Sequence, residues 1–207
     1  LIKDDISFSY RSSSLQSQPH LVIIKACFAL SQTPLRTLRY DSALDIANEL
    51  ELDPTNNEDA RSIIIETRRR AGSIYHPDGG EYERTAGSFF KNPMVSTEQA
   101  EKLARFDETG KTLERIQNQS RIHGGNTHRA SAAHVLLAAG FKRGQTWGSV
   151  RLHPSHVLKV STLPGATAQE VYDVVEEIMT TVKAKLGIYL GPEVKFLGSF
   201  TKAEETH

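Results

Sequence analysis

The stretch that most limits the fold is TAQEVYDVVEEIMTTVKAKLG, Thr167 to Gly187. Val171, Val174, Val175, Ile178, Val182 and Leu186 recur three or four residues apart, so one face of a helix becomes an apolar stripe that a core has to cover. Thr167 and Glu170 hold the capping-box spacing, which satisfies the first free backbone N–H groups. Gly187 can adopt the left-handed conformation that stops a helix. The segment after it, PEVKFLG, alternates as a strand does, and SHVLKVS upstream also reads as a strand.

Further elements follow from the same rules. DSALDIANEL, Asp41 to Leu50, places apolar residues at 43, 44, 46, 47 and 50, the helical spacing. A second helix is expected from about Asn57 to Arg70, with Ala60, Ile63, Ile64 and Thr67 on one side. Ser96 and Gln99 form another capping box, so a helix begins at Thr97. ASAAHVLLAAG is a short apolar helix ended by Gly140. LVIIKACFAL, Leu21 to Leu30, is dominated by β-branched residues and flanked by turn formers, and is expected to be a buried strand. Residues 72–95 carry glycine, proline and aspartate at loop densities, and a domain boundary is placed there. There is no internal repeat and no low-complexity tract.

Composition narrows the function classes. The 207 residues are 38% hydrophobic, enough for a substantial core, and carry 25 basic and 25 acidic side chains. With no net positive charge, broad binding to nucleic acid or a membrane surface is not expected. Cys27 is the single cysteine and is expected to be a buried thiol in the strand; no internal disulfide can form. No apolar run reaches the roughly 20 residues of a membrane span, and the start lacks the order of a signal peptide. A cytoplasmic setting is expected. The chain opens with Leu1, as a fragment or processed product would.

The chemistry-bearing residues are ambiguous one by one. Eight histidines lack a metal-ligand spacing, and His153 and His156 are separated by Pro154, so no metal site is expected. His156 suits a hydrogen-bond donor to a polar ligand. Ser88, in AGSFF, lacks the second glycine of a nucleophile elbow and reads equally as a small residue in a turn. The glycines form neither GxGxxG nor a phosphate-binding loop. Arg11 could be a surface arginine or the planar partner of a carboxylate. Glu193, after Gly191-Pro192, could be a rim glutamate or a functional one.

Taken together, SYRSS (9–13), AGSFFKNP (86–93) and GPEVKFLG (191–198), in this order, resemble the UDP-N-acetylenolpyruvoylglucosamine reductase family, also called UDP-N-acetylmuramate dehydrogenase. SAAHVLLAAGFKRG and HPSHVLKV…GATAQEV agree with the family's connecting text, and the resemblance covers residues 6–198. It is to the C-terminal part only, without the N-terminal half of the FAD domain. The resemblance implies an α+β fold: residues 1–80 as the C-terminal portion of an FAD-binding domain, 84–190 as a substrate-binding domain with an antiparallel sheet and packed helices, and 191–207 as a return segment and tail. It implies an oxidoreductase of peptidoglycan synthesis that uses FAD and NADPH to reduce UDP-N-acetylglucosamine enolpyruvate; a monomer is one expectation for the chain, and its oligomeric state is left open by the sequence.

Residue by residue, the resemblance implies Ser88 as the proton donor to C2, Arg11 as the partner of the substrate carboxylate, and Glu193 as a glutamate near that carboxylate. Tyr10, Asn92 and His156 are implied as substrate-binding, Asn92 toward the diphosphate. Ala71, in RRRAG, stands where the family often carries a lysine; His134 replaces a usual tryptophan and Thr162 a usual asparagine. The alternative is a non-catalytic UDP-sugar-binding module that retains the fold.

Overall fold

The computed structural model describes residues 1–9, 11–31, 33, 38, 40–74, 84–106, 116 and 128–201. At the N-terminus, β1 (Phe8–Ser9) and β2 (Ser12–Ser13) form a small antiparallel hairpin, with Phe8 opposite Ser13 and Ser9 opposite Ser12. Two helices follow, α1 (Asp41–Glu49) and α2 (Asn57–Arg70). Asn56 caps α2 by accepting from the N–H groups of Glu58 and Asp59. Leu38, Ala43, Ile46, Ala47 and Ile63 bury one another between the two helices. Arg70 joins Glu49 of α1 to Glu66 of α2 across the solvent side at 2.7 Å each. Ile64, expected on the inner side of α2, stays 41% exposed because Ala60 and Ile63 already fill the contact.

The larger body is built on an antiparallel sheet. Its strands are β3 (Arg84–Ser88), β6 (Thr146–Trp147), β7 (Val150–Leu152) and β8 (Lys159–Thr162), in the spatial order β3-β8-β7-β6. A second, two-stranded pairing joins β4 (Met94–Val95) to β5 (His128–Arg129). Helix α3 (Thr97–Ala104) starts at the Ser96–Gln99 capping box, and α4 (Ala132–Ala138) ends before Gly140 at φ +97°. Helix α5 (Ala168–Leu186) begins at the Thr167–Glu170 box and stops at Gly187 in the left-handed region. Val174, Val175, Ile178, Val182 and Leu186 of α5 meet Val150, Leu152 and Val160 of the sheet in the main core, with Val135 and Leu136 of α4. This is the expected α+β arrangement, an antiparallel sheet with packed helices.

Three expectations are corrected. Leu21–Leu30 is neither strand nor buried: Val22, Ile23, Ile24, Phe28 and Leu30 are 69–93% exposed, and Cys27 is an exposed free thiol. β-Branched residues suit a pleated surface, but a strand exists only beside another strand, and among the described residues none lies beside this run. Residues 84–88, within the stretch read as loop, form β3, because pairing with β8 overrides a glycine-rich composition. PEVKFLG is irregular, held by a single bridge between Phe90 and Pro192 in place of a ladder. The residues around the expected boundary near 80 lie outside the described ones.

Candidate functional site

Ser88 ends β3, and the strand is bent just before it. Thr85 opposes Ser161 and Ser88 opposes Lys159, so β3 carries one extra residue over this span, a β-bulge. Gly87, at φ +84°, occupies the bulge, where an L side chain would be strained. Bulges re-aim the side chain that follows them, and here that side chain is the exposed Ser88 hydroxyl. Among the described residues this hydroxyl meets no hydrogen-bond partner.

Beyond Ser88 the aromatic pair turns inward. Phe89 and Phe90 are 5% and 2% exposed, with ring centroids 5.4 Å apart. Phe89 also meets Phe196, which packs edge-on against Tyr172 of α5 and Phe200. These rings hold the return segment against the serine loop, and the backbones then join. The Glu193 N–H donates to the Phe89 carbonyl at 2.8 Å, and the Lys91 N–H to that of Gly191 at 2.9 Å. Glu193 is thereby fixed beside the residue that follows Ser88.

Arg11 reaches the same place from the other end of the chain. Its guanidinium forms an ion pair with the Glu193 carboxylate, both side chains partly open to solvent. Arg11 sits in the tight turn of the β1–β2 hairpin with φ +54°, a conformation normally left to glycine or asparagine. The structure thus joins Arg11 to Glu193 by side chains and Glu193 to the Ser88 loop by backbone. Tyr10 lies outside the described residues.

Asn92 has a structural task. Its Oδ1 accepts from the Ala132 N–H at 2.9 Å and caps α4, while its carbonyl accepts from Arg129 Nη1 at 3.1 Å. His156 lies in the loop that leads into β8. Its Nδ1 accepts from the Leu158 N–H at 3.2 Å, which leaves Nε2 as the protonated, donating nitrogen of a neutral ring. Its pKa is lowered from 6.5, first by loss of solvation and then by the positive charges of Lys159 and Arg143. A neutral Nε2–H donor is what a polar ligand would meet there.

His134 bonds through Nε2 to the Leu103 carbonyl at 2.8 Å and ties α4 to α3. No group of three or more metal-ligating side chains occurs among the described residues, and none of their helices is long and apolar enough to cross a membrane. Sequence reasoning missed Lys159, a buried lysine opposite Ser88. Its signal was a lone cation between the apolar residues of HVLKVS.

Comparison with known proteins agrees with the motifs. Residues 79–197 match the family described as UDP-N-acetylenolpyruvoylglucosamine reductase, C-terminal domain. Proteins named UDP-N-acetylenolpyruvoylglucosamine reductase are similar to the chain. That of Thermobifida fusca (strain YX) is 28% identical over 199 residues, covering 94% of this chain and 54% of that protein. That of Xylella fastidiosa (strain 9a5c) is 28% identical over 203 residues, 96% and 53%. That of Mycobacterium sp. (strain MCS) is 29% identical, 94% and 54%. The chain spans about half the length of the curated relatives it matches.

Proposed function

Because the chain belongs to the UDP-N-acetylenolpyruvoylglucosamine reductase family through its C-terminal domain, we propose that it supplies the substrate-binding and proton-delivering half of an NADPH-dependent flavoenzyme. The reaction is reduction of UDP-N-acetylglucosamine enolpyruvate to UDP-N-acetylmuramate for peptidoglycan synthesis in the cytoplasm. The observation that carries this reading is the meeting of Arg11, Glu193 and the Ser88 loop at one locus.

FAD, reduced by NADPH, supplies the hydride when bound. Among the described residues no helix opens from a loop with paired glycines, the usual cradle for a dinucleotide pyrophosphate. The family resemblance assigns the loops that hold the FAD pyrophosphate to the portion of the relatives that this chain does not span, and residues 1–80 to the rest of the flavin domain.

Toward the substrate, each residue of this chain has a defined part. Arg11 pairs with the carboxylate and stabilises negative charge as it spreads from C2 into that group. The Ser88 hydroxyl delivers a proton to C2. Serine is a weak acid, so the acceptor has to be enolate-like and water has to be excluded. Glu193 orients Arg11 through the ion pair and can carry a proton. The His156 Nε2–H donates to the substrate, and Asn92 shapes the loop toward the diphosphate while capping α4.

Reconstitution tests the proposal. The chain is combined with a polypeptide covering the remaining portion of a relative, FAD, NADPH and UDP-N-acetylglucosamine enolpyruvate. NADPH oxidation matched one-to-one by UDP-N-acetylmuramate is expected, with the chain alone colourless and inactive. Retained UDP-sugar binding with no NADPH oxidation would favour the alternative, a non-catalytic UDP-sugar-binding module.

A further inference from the structure

A buried ammonium joins the last turn of α2 to the strand that faces Ser88. Lys159, 7% exposed, leaves β8 and donates to the carbonyl of Ala71 at 2.6 Å, the carbonyl of Gly72 at 3.4 Å and the hydroxyl oxygen of Ser73 at 2.7 Å. The Ser155 hydroxyl lies 3.4 Å from the Ala71 carbonyl and 2.7 Å from Nδ1 of His153. His153, equally buried, closes the joint from the side. A Cβ on Gly72 would lie 2.8 Å from His153 Nε2, and Gly72 is at φ +58°, so glycine is required there on both counts.

Burial of an ammonium is unfavourable unless acceptors replace its water. The acceptors here stand at the C-terminal end of α2, where the helix dipole adds negative potential. The amides of Ala71, Gly72 and Ser73 bond back to the carbonyls of Thr67, Arg69 and Arg68, so the turn is a continuation of the helix end. The helix pair has its own small core and the sheet has another, and Lys159 connects the two. Opposed residues of an antiparallel pair share a face. Ser88 opposes Lys159, so the turn 71–73 is held on the face that carries the Ser88 hydroxyl.

We propose that Lys159 is a positioning residue, fixing the Ala71–Ser73 turn over the sheet face of Ser88 so that the helix pair and the serine strand form one body. Its effect on substrate rests on the reading of Ser88 given above, whereas the joint itself rests on the hydrogen bonds.

Two measurements on the chain test it. In Lys159→Met, hydrogen exchange at the amides of Ala71, Gly72 and Ser73 accelerates at least about tenfold while α5 keeps its protection; Lys159→Arg, which retains charge and donors, restores most of it. Unchanged exchange at 71–73 in Lys159→Met overturns the proposal. If that variant fails to fold, Ser73→Ala, which removes one acceptor, decides on the same amides: faster exchange supports the joint and unaltered exchange overturns it. The second measurement is affinity for UDP-N-acetylglucosamine enolpyruvate by calorimetry. About tenfold weaker binding in Lys159→Met with recovery in Lys159→Arg is expected, and equal affinity in the wild type and Lys159→Met overturns the positioning role. Absence of binding by the wild type counts against the proposed function instead, and exchange alone then decides the joint.

Discussion

Arg11 and Glu193, far apart in the chain, form an ion pair that closes the N-terminal hairpin onto the segment returning from α5. Arg11 holds this position in a left-handed conformation. The strain of an L residue there is about 1 kcal/mol or slightly more, and a partly exposed ion pair returns about 1 kcal/mol or less. Stability alone therefore does not explain an arginine at this turn.

Arg11→Gly separates these contributions. The melting temperature is expected to stay within a few degrees of the wild type, because the lost pair is offset by a relaxed turn. Turnover of the reconstituted enzyme is expected to fall about a hundredfold or more, the usual effect of deleting a donor that stabilises developing charge. A variant that is both stable and fully active would remove Arg11 from the reaction.

Ser88→Ala deletes an exposed hydroxyl at the end of β3. Thermal unfolding is expected to be unchanged, with kcat reduced about 10²- to 10⁴-fold, the range for loss of a positioned proton donor. Steady-state kinetics beside a melting curve is sufficient; wild-type kcat would exclude proton delivery from Ser88.

Asn92 predicts a contrast between two variants. Asn92→Ala removes the acceptor for the Ala132 N–H at the start of α4 and is expected to cost about 1 kcal/mol, the usual net value of a hydrogen bond. Asn92→Asp keeps an oxygen there and is expected to stay within a few tenths of that in the wild type. Urea unfolding reads both directly.

His156 should titrate below 6.5, because desolvation and the charges of Lys159 and Arg143 disfavour its protonated form. The folded state then binds fewer protons than the unfolded state in the window between the lowered value and 6.5. The contribution of His156 to stability is complete above 6.5 and is lost as pH falls through the lowered value. Imidazole NMR is expected to show that midpoint, and Arg143→Gln to move it upward. A midpoint at or above 6.5 would contradict the electrostatics of the loop.

What could be read from the sequence was what neighbouring residues decide. The caps at Ser96 and Thr167, the stop at Gly187 and the stripe of α5 each rest on contacts within a few residues, and all are present. β3 was hidden because RTAGS has few strand formers and is held by β8, far along the chain. The convergence of Arg11 and Glu193 cannot be seen in spacing at all; the motif resemblance brought those residues forward. Asn92 was read as a ligand contact, and no local signal revealed that its oxygen caps a helix in a distant segment. The Lys159 joint needed the turn after α2 and the strand β8 to be brought together before its acceptors became visible.

The bare run Leu21–Leu30 has a practical consequence for any work on the isolated polypeptide. Val22, Ile23, Ile24, Phe28 and Leu30 lie open to solvent, and Lys25 is the single charge within the run. Short β-rich, weakly charged segments of this kind stack with their own copies into cross-β aggregates. Concentration-dependent light scattering, sensitive to a second lysine at Ile24, will thus report on this run before it reports on any enzyme property. Co-production with a strand-donating polypeptide is the condition under which the chain should stay dispersed.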